Sequence, residues 1–252
     1  MIGADLSGRR VLVTGASSGI GLATVEIFAR NGAAVALNHL PDDPRGPAEA
    51  ARLAGTGLSV LALPGDVSRA GEAEAMVAAG IDSLGGLDVL VNNAGTSGST
   101  TPIAFEDLDA MSEDFWATIL ATNLLGPFRC ARAAAATLKA SRGAIVNTAS
   151  VAGLGRRGSS VAYAASKAGL INLTRSLARA LAPDVRVNAV APGLVATPWT
   201  EPWSEARKAS TVERTMLGRM ARPEDIAETI FFLAAGAAYI TGETITVDGG
   251  AI

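Results

Sequence analysis

Short apolar runs alternate with stretches whose apolar residues recur every three or four positions, from residue 10 to residue 247. The runs 10–14 (RVLVT), 33–38 (AAVALN), 58–63 (LSVLAL), 87–91 (LDVLV), 143–149 (GAIVNTA), 184–190 (DVRVNAV) and 244–247 (TITV) predict seven strands. The first, with no in–out alternation, reads as a strand covered on both faces. Helical spacing is read over 22–30, 47–53, 72–79, 111–138 and 168–178. The 111–138 stretch breaks near Asn123-Leu-Leu-Gly126-Pro127, and an asparagine inside an apolar helix is costly unless bonded. Strand and helix alternate without a linker or a shift in composition. The pattern therefore predicts one doubly wound α/β domain over 1–252, a seven-stranded, mostly parallel sheet with helices on both faces.

The glycines add chemistry to this frame. Thr14-Gly15-Ala-Ser17-Ser18-Gly19-Ile20-Gly21 lies between the first strand and the first helix. Strand, glycine loop and helix in that order point to a dinucleotide site, because the backbone can approach a pyrophosphate at the helix N-terminus. No Lys-Ser/Thr follows the last glycine, so the loop is not a P-loop. The second strand ends at Asn38-His39-Leu40-Pro41, where an acid would read the ribose of NAD and an arginine the phosphate of NADP. His39 is neither; it is read as a wall of the adenosine pocket or as a surface histidine. Asp42, Asp43 and Arg45 follow the proline and are expected to point elsewhere. Asp66 closes the third strand beside Val67, as an acceptor for the adenine amino group or as a helix cap, with Ser68 the better placed cap. Asn92-Asn93-Ala94-Gly95 sits at the C-terminal end of the fourth strand, the edge where open α/β sheets bind ligands.

Tyr163 and Lys167 stand four residues apart at the start of a helix, hence on one face. A free phenol has a pKa of about 10. An ammonium held nearby should lower it toward the range useful for trading protons with an alcohol or a carbonyl.

Composition narrows the class. A formal charge of -3 and a pI near 5.3 leave no basic footprint for nucleic acid. One cysteine, Cys130, excludes an intrachain disulfide and fits a reducing compartment. The single histidine offers no metal site. The N-terminus lacks a signal-peptide pattern, and the apolar stretch 230–240 is too short and glycine-broken to span a bilayer. A cytoplasmic protein without a membrane segment is expected.

Taken together, Thr14-Gly-x3-Gly-x-Gly21, Asp66, Asn92-Asn-Ala-Gly95, Asn123, Ser150, Tyr163-x3-Lys167, Pro192-Gly193 and Val247-Asp-Gly-Gly250 resemble the short-chain dehydrogenase/reductase family in order and spacing, over essentially the whole chain. The resemblance implies a Rossmann-type fold and hydride transfer between a nicotinamide and a secondary alcohol or ketone. It implies Tyr163 as the proton donor and acceptor, with Lys167 lowering its pKa and holding the nicotinamide ribose. Ser150 would bond the substrate oxygen, and Asn123 would hold a water leading from Lys167 to solvent. Cofactor contacts would come from Gly15, Ser17, Ser18, Gly19, Ile20 and Gly21, from His39, Asp66 and Val67, and from Asn93, Ala94 and Gly95. Pro192, Gly193, Val195 and Thr197 would complete them, Thr197 at the carboxamide.

Neither a basic residue at Ser18 nor an acid at His39 declares the cofactor, so NAD or NADP stays open, leaning to NAD because no base is placed for a 2′-phosphate. A flexible lid is expected over about 194–216, in which Trp199 and Trp203 form an apolar face or an anchor. Arg156 and Arg157 attract an anionic substrate, or else are solvated or pair across a subunit interface. Alanine-rich helices, with the resemblance, imply a homotetramer. The alternatives are a 3-oxoacyl-thioester reductase using NADPH and a non-catalytic dinucleotide-binding regulator, which would lack one of Asn123, Ser150, Tyr163 or Lys167.

Overall fold

The structure, a computed structural model, describes residues 4–251. β1 (Arg10–Val13), β2 (Ala34–His39), β3 (Val60–Pro64), β4 (Val89–Asn92), β5 (Ala144–Thr148), β6 (Arg186–Pro192) and β7 (Thr244–Val247) form one sheet in the order β3-β2-β1-β4-β5-β6-β7. Every ladder is parallel, so the sheet is uniformly rather than mostly so. The period of two along a strand sends alternate residues to opposite layers. Val11 and Val13 pack under α1 (Gly19–Arg30), α2 (Arg45–Ala54) and α8 (Pro223–Phe231), in a layer centred on Phe28 and Phe231. Leu12 faces the other way, into the layer of α3 (Glu72–Leu84), α5 (Gly126–Ser141) and α6 (Val161–Leu181).

Element boundaries depart from the hydrophobic pattern where polar side chains intervene. β6 starts at Arg186, because the N–H groups of Asp184 and Val185 still bond the Leu181 carbonyl at the end of α6. The long helix divides into α4 (Glu113–Leu120), a π-turn (Ala121–Leu125) and α5. Asn123 lies in that π-turn, fully buried and bonded. Pro127 has no N–H to give the carbonyl four residues back, which is Asn123's, so the regular ladder cannot run through this point. Strand order reverses between β1 and β4, and their C-terminal ends open a crevice at the switch point.

Candidate active site

Thr14 and Asn93 clamp the two sides of that crevice together. Thr14 Oγ1 accepts from the N–H groups of Asn93 (3.0 Å) and Ala94 (3.1 Å). Asn93 Nδ2 donates to the carbonyls of Thr14 (3.1 Å) and Gly15 (2.9 Å). Gly15 has φ +60°, and a Cβ there would stand 2.6 Å from Ala94 Cα. At Gly21 a Cβ would meet Asn93 Nδ2 at 2.6 Å as well as the Gly15 carbonyl. Side chains are thus kept out of a concavity at the N-terminus of α1, which fits a pyrophosphate. Thr197 closes over this loop, its Cγ2 3.1 Å from where a Gly19 Cβ would lie. Ser17, Ser18, Gly19, Ile20, Gly95, Pro192, Gly193 and Val195 line the same cleft of about 1160 Å³; Gly21 sits behind the loop.

At one end of the cleft the chain after β2 doubles back. His39 is buried, with Nδ1 2.8 Å from the Leu40 carbonyl and Nε2 without a partner among the described residues. It is a wall of the cleft and not a surface residue. Asp43 and Arg45 do not point away as the proline suggests. Ser17 Oγ donates to Asp43 at 2.7 Å, and Arg45 grips the same carboxylate through Nε (2.8 Å) and Nη2 (2.9 Å). The Arg45 bonds first, and the Ser17 bond after them, hold the Asp43 carboxyl far below the usual range. An orphan imidazole nitrogen, a carboxylate and a guanidinium therefore gather where an adenosine ribose would fit. Asp66 and Val67 line this end too. Asp66 accepts from the Ser68 N–H (2.8 Å) and caps nothing. Neither does Ser68, because α3 starts after Gly71, whose N–H bonds Glu74 at 2.8 Å.

At the other end β5 delivers Ser150, and α6 delivers Tyr163 and Lys167. Ser160 caps α6 by accepting from the Tyr163 N–H at 3.0 Å, which sets where the phenol emerges. Lys167 is 3% exposed and donates to the Thr148 carbonyl at 2.8 Å, its ammonium 5.7 Å from the centre of the Tyr163 ring. The pair shares one helix face as expected. The predicted acidification of the phenol, however, is not found here. Burial pushes the Tyr163 pKa up to about 12, opposed by a hydrogen bond with the Ser150 hydroxyl, while burial brings Lys167 down to about 8. Desolvation outweighs the help of the Ser150 hydroxyl, and the ammonium is engaged by the Thr148 carbonyl. Asn123 holds the adjoining loop: its amide accepts from the Thr96 N–H (2.8 Å) and donates to the Thr96 carbonyl (2.9 Å) and Ser166 Oγ (3.1 Å). Both its N–H groups are thereby spent on protein partners.

Comparison with known proteins agrees with this geometry. The sequence model of the family described as Enoyl-(Acyl carrier protein) reductase matches residues 15–251. The 3-oxoacyl-[acyl-carrier-protein] reductase of Chlamydia pneumoniae is 39% identical over 249 residues, spanning 97% of this chain and 97% of that one. The chain belongs to the short-chain dehydrogenase/reductase family. Among solved structures, a short-chain dehydrogenase/reductase of the glucose/ribitol dehydrogenase type from Brucella melitensis superposes with a TM-score of 0.89 at 35% identity, over 99% of this chain and 98% of that one. A 3-oxoacyl-[acyl-carrier protein] reductase with bound NAD from the same organism superposes at 0.86 with 34% identity, over 98% and 92%. This short-chain dehydrogenase/reductase is an NAD(P)-dependent enzyme that moves a hydride between a nicotinamide and a secondary alcohol or ketone.

In this short-chain dehydrogenase/reductase the loop after β5 and the segment after β6 line the end of the cleft that holds Tyr163. Trp199 meets the Tyr163 ring edge-on, centroids 5.9 Å apart. Trp203 lies instead under the guanidinium of Arg207, at 4.9 Å. Arg156 pairs within the chain with Asp248 at 2.7 Å, and Arg157 with Glu106 at 3.5 Å. Three participants escaped the sequence reading, Ser160, Ser166 and the Thr148 carbonyl, while Asp43 and Arg45, expected to point elsewhere, line the cleft. Ser160 alone left a local signal, a serine immediately before a helical pattern.

Proposed function

We propose that Tyr163 is the acid and base of this oxidoreductase, with Ser150 positioning the substrate oxygen and Lys167 holding the nicotinamide ribose and supplying positive charge. One observation carries the reading: hydroxyl, phenol and ammonium meet beside the glycine cradle in one cleft. A nicotinamide dinucleotide held along the glycine cradle, with its ribose at Lys167, would supply or accept the hydride. In reduction the Tyr163 phenol gives its proton to the carbonyl oxygen as carbon is reduced; in oxidation it takes the proton of the alcohol. Ser150 donates to that oxygen as charge builds on it. Asn123 positions the loop at Gly95 through its two bonds to Thr96, and its main-chain carbonyl, to which Pro127 has no N–H to give, would hold a water toward Lys167. The cofactor contacts named from the sequence, Gly21 apart, are among the residues that line the cleft, and Asp43 and Arg45 join them. The chain acts as one catalytic domain with a lid over about 194–216.

The ribose end supports NAD over NADP. The Asp43 carboxylate would repel a 2′-phosphate, and Arg45, which could receive one, is already paired. The Brucella melitensis reductase solved with NAD accords with this. We expect NADH to be preferred to NADPH by less than about a hundredfold, in absorbance assays over a panel of ketones and alcohols. Asp43→Asn should move the ratio of the two dissociation constants toward NADPH by about tenfold, and Arg45→Ala the other way. A strict NADPH requirement would contradict the assignment, and no turnover with either cofactor would remove the enzymatic reading.

A second reading, 3-oxoacyl-thioester reduction with NADPH, takes its support from the names of the Chlamydia and Brucella relatives; turnover of an acetoacetyl thioester separates it from the first. A cytoplasmic homotetramer is supported by the exposed Leu125 and Phe128 on and beside α5, and by the reduced Cys130. No helix among the described residues is long and apolar enough to cross a membrane.

A further inference from the structure

Much of the lid is a helix, α7 (Glu205–Glu213), with no buried residue. Its cleft side carries Arg207, Ser210 and Thr211, then Arg214 at its end, positions spaced as one helix face; with them Val212 is the one apolar residue of α7 that lines the cleft. The acids Glu205 and Glu213 do not line it. Lys208 is turned to Glu205 (2.9 Å) and the Glu201 carbonyl (3.0 Å). A lid face with two guanidiniums and two hydroxyls, and no carboxylate, covers the substrate end.

Arg207 is held in place without being neutralised. Its guanidinium stacks on Trp203 at 4.9 Å, and Nη2 reaches the Gly158 carbonyl at 3.5 Å. Gly158 itself packs on the reactive tyrosine, a Cβ there lying 3.1 Å from Tyr163 Cδ1. The cation is thus about one residue's width from the phenol ring. Neither Arg207 nor Arg214 has a carboxylate at ion-pair distance among the described residues, whereas Arg156 has Asp248 and Arg157 has Glu106. Burial first, and the charge of Arg157 second, lower the Arg207 pKa, as expected of a cation short of negative charge.

We propose that this cleft selects substrates bearing an anionic group, a carboxylate or a phosphate, on the side of the reacting carbon that faces the lid, with Arg207 as its principal reader and Arg214 as the second. The inference rests on the oxidoreductase reading and names its substrate class. A guanidinium offers paired donors that match a carboxylate or phosphate, and an aromatic face beneath it fixes the plane of the fork. A neutral polyol could accept single hydrogen bonds there but would leave the charge uncompensated.

Two matched pairs of ketones test it. Acetoacetate and methyl acetoacetate differ by a carboxylate; hydroxyacetone phosphate and hydroxyacetone differ by a phosphate, in each case close to the ketone. At low salt the anionic member of at least one pair should have a KM about tenfold below its neutral partner. That ratio should fall toward one in Arg207→Gln, and in about 0.5 M NaCl, where exposed charges are screened. The pair that responds says whether carboxylate or phosphate is read. Equal or lower KM for the neutral member of both pairs would overturn the proposal. The same four compounds titrated against tryptophan fluorescence in a Trp116→Phe background, which leaves the two lid tryptophans, keep the test independent of chemistry. The oxidoreductase reading fails only if the wider panel of ketones and alcohols also gives no turnover; even then tighter binding of an anionic member, lost in Arg207→Gln, supports the reader, and no such preference overturns it.

Discussion

Tyr163→Phe is expected to lower kcat about a thousandfold for both ketone reduction and alcohol oxidation, while the cofactor dissociation constant stays within about threefold. The ring is fixed by contacts that the substitution keeps: Ser160 caps the helix turn that carries it, Trp199 meets its edge, and Lys167 lies beside it. Only the phenolic oxygen is lost, and with it the proton placed at the substrate oxygen. General acid–base catalysis contributes about a hundredfold to ten-thousandfold, and here no second titratable group has been assigned to the same oxygen. Stopped-flow and steady-state rates, together with cofactor binding by fluorescence, measure both quantities. A variant within about tenfold of the parent in kcat would remove the phenol from the reaction.

The second large effect is expected at Lys167, where function and stability should part. Its ammonium is 3% exposed with its pKa brought from an ordinary 10.5 down to about 8. That difference corresponds to about 3 kcal/mol of destabilisation in the charged form. The sign follows from proton binding. Between about pH 8 and 10.5 the unfolded chain holds the proton and the folded chain does not. The penalty is therefore full below about pH 8 and fades as pH rises toward 10.5.

Methionine at 167 fills similar space without charge, at the expense of the bond from the charged amine to the Thr148 carbonyl, worth about 2 kcal/mol. Lys167→Met should accordingly be as stable as the parent or more so near pH 7. Its advantage should shrink in alkaline buffer, as read by denaturant midpoints across pH. Its kcat should fall about a hundredfold or more, and its cofactor affinity with it. A variant that is markedly less stable at neutral pH would show that the buried ammonium holds the fold together.

The seven strands were legible because a sheet covered on both faces needs short apolar runs; a comparable run at 230–235 lies in α8 and the turn after it, so the run alone does not decide strand from helix. Helix ends were less legible. β6 begins later than its apolar run because the Leu181 carbonyl keeps Asp184 and Val185 in the preceding turn. The lid helix α7 left no periodic signal, since nothing on it is buried and its face is polar. At the site, residues recurring at fixed spacing could be named one by one. What sequence could not supply was closure over distance. Ser17 and Asp43 are 26 positions apart and meet only because the chain turns back after Leu40-Pro41. The state of the phenol was likewise hidden. Spacing places a cation near it, but whether charge or desolvation prevails depends on how much protein surrounds both, and in the cofactor-free protein desolvation does.

That balance makes the decisive measurement a titration of Tyr163 itself. The chain has two tyrosines, and Tyr239 is fully exposed, so Tyr239→Phe leaves one phenol to observe. With tyrosine labelled by carbon-13 at Cζ, the remaining resonance should stay that of a neutral phenol until about pH 12 in the free protein. On saturation with NAD⁺, whose cationic ring adds positive charge beside Lys167, it should titrate at least about two units lower. A resonance that titrates at the same pH with and without NAD⁺ would contradict the account.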